Sequence, residues 1–188
     1  TPTLSSAASD VYKRQRRFRI MKCLVTGGAG FIGSHIVGKL LENNHHVVVI
    51  DNESSEANDV FNWYEDDAEN HVVDIRDFDA CRPLFEGVDY VFHLAAHSRI
   101  QLAMQRPKEC LETNYFGTYN MLECARQAGV SRFVNSSTSS SYGLLNEPPL
   151  QEDMKTDCLN PYSASKVGAE TLCAVSYTHL TLPTTMWV

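Results

Sequence analysis

The sequence contains no apolar run that approaches the roughly 20 residues of a membrane-spanning helix, so we expect no membrane segment. Positive charge is also scarce: 16 lysines and arginines stand against 23 aspartates and glutamates, which gives a net charge of −7. Because nucleic-acid-binding proteins usually carry a positive surface, this balance argues against a nucleic-acid partner. The length of 188 residues suits one globular domain with a sizeable core.

The cysteines lack the pattern of a zinc or redox site. There are six, at irregular spacing, and no two of them form a C-x-x-C pair. His93 and His97 have no group of further ligands near them in the sequence. We therefore expect reduced, mostly structural thiols in a cytoplasmic protein, and no metal ion.

The two ends of the chain carry related sequence. One DNA sequence that encodes VSYTHLTLPT, residues 175–184, gives SAASDVYKR, residues 6–14, when its reverse complement is read in a shifted frame. We interpret residues 1–20 and 175–188 as translated sequencing adaptor and upstream sequence, which do not belong in fold arguments. On this interpretation the native protein starts at Met21 and continues past Ala174. The alternative is a natural basic arm and a natural polar tail.

Short apolar segments alternate with segments of helical periodicity, which predicts a doubly wound parallel sheet of the α/β class over residues 21–174. The predicted strands are residues 22–26, 47–50, 71–74, 90–95 and 132–136. The predicted helices are residues 32–43, 78–86, 107–129 and 161–174. Between the second and third strands, Phe61, Trp63 and Tyr64 either face a substrate or cover the sheet, and we favour packing.

Three glycines follow the first predicted strand. Gly27, Gly30 and Gly33 are spaced G-x-x-G-x-x-G before the first predicted helix. Glycine permits a tight turn and lets the backbone approach a pyrophosphate, and the N-terminus of the following helix offers N–H groups to the phosphates. This context predicts a dinucleotide site.

Two aspartates end predicted strands at the same edge of the sheet. Asp51 comes 18 residues after Gly33. A carboxylate there would accept hydrogen bonds from the adenosine ribose and repel a 2′-phosphate, which favours NAD over NADP. The alternative is a polar residue that only ends the strand. Asp74 could contact the adenine edge, or it could be a turn or helix-capping residue.

Tyr162 and Lys166 lie about one turn apart on one face of the last predicted helix. A phenol is a poor base near neutral pH because its ordinary pKa is about 10, but a neighbouring ammonium group favours the phenolate. Tyr162 could then take a proton from a carbinol while a hydride moves to NAD. Thr138, just past the fifth strand, could hydrogen-bond the reacting oxygen, or it could belong to a plain polar turn.

The chain resembles the extended short-chain dehydrogenase/reductase family, and within it the nucleotide-sugar epimerases of the UDP-glucose 4-epimerase type. The motifs that carry this resemblance are TGGAGFIG (26–33), VIDN (49–52), DI (74–75), HLAA (93–96), TN (113–114), SSTSSSYG (136–143) and PYSASK (161–166). The resemblance covers nearly all of residues 21–174 and implies an NAD-binding Rossmann fold.

The resemblance also assigns roles to further residues. It implies a catalytic triad of Thr138, Tyr162 and Lys166. It places Phe31 and Ile32 against the pyrophosphate. Tyr162 and Lys166 are also expected to contact the cofactor, and Lys166 could hydrogen-bond the nicotinamide ribose. It implies that the rest of the cofactor is contacted by Asp51, Asn52, Asp74, Ile75, Leu94, Ala95, Ala96 and Asn114.

The implied activity is 4-epimerisation of a nucleotide sugar, with a UDP-sugar as the expected substrate and NAD as a bound catalyst. Related dehydratases carry Asp-Glu directly after the catalytic threonine, whereas Ser139 and Ser140 stand here. The alternatives are a dehydratase, a reductase or another short-chain oxidoreductase, and a non-catalytic NAD-sensing protein. The family also implies a homodimer and a C-terminal substrate domain. We expect that domain to be missing here, so that the chain as given is inactive.

Overall fold

The architecture is a six-stranded parallel sheet with helices on both faces, in a computed structural model that describes residues 20–55, 60–64, 67–179 and 184–187. The strands lie in the order β3-β2-β1-β4-β5-β6. Their bounds are β1 Lys22–Thr26, β2 His46–Asp51, β3 Glu69–Val72, β4 Tyr90–His93, β5 Arg132–Ser136 and β6 Thr184–Trp187. This order is that of the Rossmann fold, and the predicted doubly wound α/β class is confirmed.

In the part of the chain that the structure describes, six α-helices connect or cover the strands. They are α1 Phe31–Glu42, α2 Phe78–Cys81, α3 Ile100–Gln105, α4 Pro107–Leu111, α5 Thr118–Ala128 and α6 Pro161–His179. Short 3₁₀ turns occupy Arg82–Phe85 and Ser139–Ser141, and a π-helical segment, Glu112–Gly117, joins α4 to α5. Among the described residues, no helix combines the length and the apolar character that crossing a bilayer requires.

Both faces of the sheet are buried, as the apolar strand β2 shows. Val47 and Val49 pack on one face with Val37 of α1, and Val48 and Ile50 lie on the other. Full burial of each such side chain contributes roughly 1.5–3 kcal/mol. Alternate residues of one strand therefore belong to two separate cores, with α1 packed on one face of the sheet and α2, α5 and α6 on the other.

Several predicted elements have different bounds in the structure, and the fourth strand, expected at residues 90–95, ends at His93. The third strand was expected at residues 71–74 but lies at Glu69–Val72, where its pairing with β2 joins Val48 to Glu69 and Asp51 to Val72. Asp74 therefore lies in the turn after the strand. The helix expected at residues 78–86 is α2 followed by a 3₁₀ turn, because Pro83 lacks the N–H group that an α-helix needs.

The helix predicted over residues 107–129 is interrupted by the π-helical segment between α4 and α5. Its predicted end is confirmed, since Gly129 takes the left-handed conformation with a φ of 70°. The helix α3 was not predicted. It has only six residues and stops where Pro107 begins α4, so its periodicity is too short to detect.

The ends of the chain bear on the adaptor interpretation. Residues 1–19 lie outside the described residues. α6 continues five residues past Ala174, and β6 pairs with β5 within the segment interpreted as adaptor. The edge of β5 can pair with any segment that has strand propensity, and threonine and tryptophan give β6 this propensity. The pairing of β6 is therefore compatible with the adaptor interpretation.

Two of the glycines after β1 allow close contact between backbone segments. Gly27 has a φ of +68°, a conformation that other residues rarely adopt. A Cβ atom on Gly33 would lie 2.1 Å from the carbonyl oxygen of Gly27. The first turn of α1 therefore rests directly on the turn that leaves β1.

We predict that Gly33→Ala lowers the free energy of unfolding by about 3 kcal/mol or more, because backbone atoms cannot move away from the added methyl group. Gly87→Ala is the control, since Gly87 has a φ of +70° but no atom within 4 Å of an added Cβ. It should cost only about 1 kcal/mol of conformational strain. Urea unfolding measures both, and equal losses would contradict the steric argument.

Candidate active site

A cavity of about 350 Å³ opens at the carboxyl ends of β1, β2, β4 and β5, the edge where such sheets bind ligands. Most of the residues expected to contact a cofactor line it. They are Gly27, Gly30, Phe31, Ile32, Gly33, Asp51, Asn52, Ile75, Leu94, Ala95, Ala96, Tyr162 and Lys166. Asp74, Asn114 and Thr138 are not among the lining residues.

One end of the cavity is formed by the N-terminus of α1. Gly30 is the N-cap residue, no side chain among the described residues caps the helix, and its first turn has no acidic residue. Phe31 and Ile32 remain 73% and 62% exposed although they are large and apolar. A helix N-terminus whose first turn holds no carboxylate favours an anion, and the exposed apolar side chains suit a bound molecule beside it.

Asp51 connects β2 to the glycine turn. Its carboxylate accepts hydrogen bonds from the backbone N–H groups of Glu53, at 2.9 Å, and Ala29, at 3.2 Å. Burial raises the pKa of Asp51, while the N–H groups of Glu53, Ala29 and Gly30 act in the opposite direction. The carboxylate thus lines the cavity in a position fixed by the backbone and can accept further hydroxyl donors.

Asp74 is occupied by other protein groups. Arg76 donates to both of its carboxylate oxygens, at 3.0 and 2.7 Å, and Asn52 donates to one of them at 2.8 Å. Burial acts to raise the pKa of Asp74, but these donors lower it to about 2. Its Oδ1 also accepts from the backbone N–H of Arg76 at 2.8 Å, so its geometry is that of a turn aspartate. The neighbouring Ile75 lines the cavity.

The start of α6 is fixed by Asn160 and Pro161. The side chain of Asn160 accepts from the N–H of Ser163 at 2.9 Å, and Pro161 occupies the first helical position. Tyr162 therefore lies in the first turn and Lys166 one turn later, and both line the cavity. Tyr162 and Lys166 therefore lie on one face of α6, as predicted, and this face forms a wall of the cavity.

Lys166 is only 3% exposed. Within the described residues it shows no hydrogen bond to another protein group. Burial lowers the pKa of its ammonium to about 8, although Cys173 and Glu170 act to raise it. A buried cation that has no acceptor among the described residues favours a ligand that brings hydroxyl or anionic groups.

Thr138 lies beside the cavity wall. It is 8% exposed, and its hydroxyl accepts from the backbone N–H of Ser140 at 3.1 Å, which caps the 3₁₀ turn after β5. Ser136 and Ser137, which precede it, line the cavity. Ser137 donates to Glu170 of α6 at 2.7 Å, so β5 and α6 are joined at the site.

Asn114 lies behind the wall on the π-helical segment and is 1% exposed. Its side chain accepts from the N–H of His97 at 2.7 Å and donates to the carbonyl of His97 at 3.2 Å. It also donates to Ser165 of α6 at 2.9 Å. Asn114 therefore connects the loop after β4 to the helix that carries Tyr162.

Several lining residues were not predicted from the sequence. They include the cations Arg76, Arg99 and Arg106, together with His97 and Glu109. The signal that could have found Arg99 and Arg106 is their position after β4, at the carboxyl edge. Of the three aromatic residues, Trp63 and Tyr64 pack against the sheet as favoured, whereas Phe61 lines the cavity.

A family model described as GDP-mannose 4,6 dehydratase matches residues 24–187. The chain is also 37% identical over 168 residues to the UDP-glucuronate 4-epimerase of Thermodesulfobacterium geofontis, and the match covers 84% of this chain and 51% of that protein. The chain spans about half the length of the curated relatives it matches.

Solved structures share the fold. UDP-glucose 4-epimerase with UDP-glucose from Thermotoga maritima matches with a TM-score of 0.81 at 34% identity, covering 88% of this chain and 54% of that one. The Thermus thermophilus UDP-glucose 4-epimerase complex with NAD matches with a TM-score of 0.78 at 33% identity, with coverages of 88% and 54%.

The burial of Lys166 predicts a pH-dependent cost in stability. Lys166→Met should raise the free energy of unfolding near neutral pH by about 1–3 kcal/mol, because an apolar side chain replaces a buried cation. The gain should shrink as pH rises from about 8 towards 10.5, since Lys166 has then lost its proton in the folded state but not in the unfolded state.

Urea unfolding of both proteins across this pH range measures the difference. Lys39→Met is the matched control, because the side chain of Lys39 on α1 is 75% exposed, and it should change stability little. A gain for Lys166→Met that does not depend on pH would contradict the assignment of the cost to the buried charge.

Proposed function

This chain belongs to the GDP-mannose 4,6-dehydratase family of extended short-chain dehydrogenases/reductases, whose members are NAD-dependent nucleotide-sugar epimerases and dehydratases, and we propose that it acts as a nucleotide-sugar 4-epimerase. One observation carries the proposal. Tyr162 and Lys166 line the same cavity as the glycine turn and Asp51. A proton-transfer pair therefore lies in one site with the groups that suit a dinucleotide.

The proposed cofactor is NAD, and the cavity fits it. The glycine turn leaves no room for a side chain, the N-terminus of α1 suits the pyrophosphate, and the carboxylate of Asp51 suits the ribose hydroxyls. The exposed side chains of Phe31 and Ile32 would cover the pyrophosphate. Asn52, Ile75 and residues 94–96 would complete the walls around the adenosine and nicotinamide ends. The NAD complex of the Thermus thermophilus relative supports this choice.

Asp74 and Asn114 would act from behind these walls. Asp74 would orient Asn52, to which it is hydrogen-bonded, and Asn114 would hold the loop at His97. The hydroxyl of Thr138 caps the turn after β5 in this structure. Its side chain would therefore have to rotate towards the substrate to take part in the reaction. The proposed catalytic residues remain Tyr162, Lys166 and Thr138.

The proposed chemistry uses a protein base and a bound redox cofactor. The phenolate of Tyr162 would remove the proton from the C4 hydroxyl and later return it, and the ammonium of Lys166 would favour the phenolate electrostatically. Bound NAD would supply the hydride acceptor and then the hydride donor. Return of the hydride to the other face of the 4-keto sugar gives the epimer without net oxidation.

Epimerisation is favoured over dehydration by the residues after Thr138. Elimination of water requires an acid and a base of its own, and Ser139 and Ser140 provide neither. UDP-sugars are the proposed substrates because the relatives described above are named for UDP-glucose and UDP-glucuronate. We also propose a cytoplasmic location, which is supported by six free cysteines, all of them among the described residues.

A homodimer is proposed on the basis of an apolar face along α4, the π-helical segment and α5. Leu111, Phe116 and Tyr119 are 43%, 59% and 50% exposed there. Exposed apolar side chains grouped on adjacent helical turns are typical of a surface that another subunit covers.

The activity is tested with the complete gene product and UDP-galactose, without added cofactor. We expect UDP-glucose to form with no lasting NADH absorbance. Tyr162→Phe should reduce turnover by about 10²–10⁴-fold because the proton acceptor is lost, while bound NAD is retained. Lasting NADH would indicate a net dehydrogenase, and an unchanged Tyr162→Phe variant would contradict the assigned base.

The dimer is tested by Phe116→Glu, which places a charge on the apolar face. Sedimentation should show a dimer for the wild-type protein and a monomer for this variant. Lys108→Glu is the control. The side chain of Lys108 on α4 is 90% exposed, and Lys108 does not belong to the apolar face, so the variant changes a charge without disturbing that face. Identical sedimentation of both variants would rule out this face as the interface.

A further inference from the structure

A buried histidine joins two structural elements behind the cavity wall. His93 ends β4 and is 1% exposed. Its Nδ1 atom lies 2.7 Å from the hydroxyl oxygen of Thr26, and its Nε2 atom lies 2.9 Å from that of Thr118. The imidazole thus connects the end of β1 to the start of α5.

The direction of each hydrogen bond follows from the number of protons available. The hydroxyl of Thr118 donates its one proton to the carbonyl of Asn114 at 2.6 Å, so it can only accept from Nε2–H of His93. The hydroxyl of Thr26 accepts from the N–H groups of Leu94 and Ala95, each at 3.2 Å, and donates to the bare Nδ1. His93 is therefore neutral and carries its proton on Nε2.

A second set of hydrogen bonds connects Asn114 to α6. The amide of Asn114 donates to the hydroxyl of Ser165 at 2.9 Å, and this hydroxyl donates to the carbonyl of Tyr162 at 2.7 Å. Two directed chains of hydrogen bonds thus meet at Asn114. One runs from the N–H groups of Leu94 and Ala95 to its backbone carbonyl, and the other runs from its side-chain amide to the first turn of α6.

We propose that His93, as the neutral Nε2–H tautomer, is a positioning residue that sets the cavity wall at residues 94–96 relative to the helix carrying Tyr162 and Lys166. This role rests on the proposed function, because residues 94–96 are the wall proposed to lie beside the nicotinamide. The side chain itself contacts neither cofactor nor substrate in this role. It acts through Thr26 and Thr118.

The variants that test it leave His93 in place and change its acceptor. In the complete gene product, Thr118→Val should lower kcat on the order of 10–100-fold with little change in KM for the nucleotide sugar, because the wall shifts but the substrate pocket does not. Thr118→Ser keeps the hydroxyl and should restore kcat. Thr171→Val is the matched control, since it removes an equivalent hydroxyl-to-carbonyl bond on the exposed side of α6.

Loss of kcat in Thr118→Ser equal to that in Thr118→Val, or a change confined to KM, would overturn the positioning role. Two further measurements do not depend on turnover. The ¹⁵N spectrum of the imidazoles should show His93 with its proton on Nε2, and Thr118→Val should speed hydrogen exchange at Leu94 and Ala95. If the wild-type protein shows no epimerisation but both signals are present, the proposed function fails and the hydrogen-bond chain stands. A His93 protonated on Nδ1 overturns the chain itself.

Discussion

Close packing around the glycine turn at the carboxyl edge of the sheet decides where the rest of the site lies. A Cβ atom on Gly27 would lie 2.8 Å from the amide nitrogen of Ala95. One on Gly28 would lie 2.6 Å from a methyl carbon of Val49. The turn after β1 therefore fills the space between its two neighbouring strands, and the direction of α1 follows from it. The turn after β1 also fixes the other end of the cavity, because the loop after β4 packs directly against it.

Polar groups within this frame are held at a cost to stability. Lys166 is a cation in a buried position, and Asn135 of β5 is fully buried with neither end of its amide hydrogen-bonded in the part of the chain described. Neither arrangement favours stability. Lys166 lines the cavity, and Asn135 directly precedes the lining residue Ser136. The two apolar cores on either side of the sheet offset this cost.

The sequence predicted the elements whose signal is local. The buried strands β1 and β5, the helix after the glycine turn and the start of α6 at Pro161 all follow from apolar pattern, glycine and proline. The position of β3 could not be predicted, because its register depends on pairing with β2 across the sheet. The occupation of Asp74 by Arg76 and the capping role of Thr138 depend on the orientation of side chains. A motif gives residue types and spacing, and it does not say which partner a carboxylate or hydroxyl selects.

The π-helical segment determines the effect of deleting one residue between α4 and α5. A π turn holds one more residue than an α turn while the helices on either side continue along nearly the same axis. The buried residues of α4 and α5, such as Cys110 and Met121, would therefore keep facing the core if a single residue were lost between them. The deletion would instead change the direction of the Asn114 side chain, which the wider turn now points towards His97 and Ser165. Chain length at this point is therefore constrained by the site and not by the core.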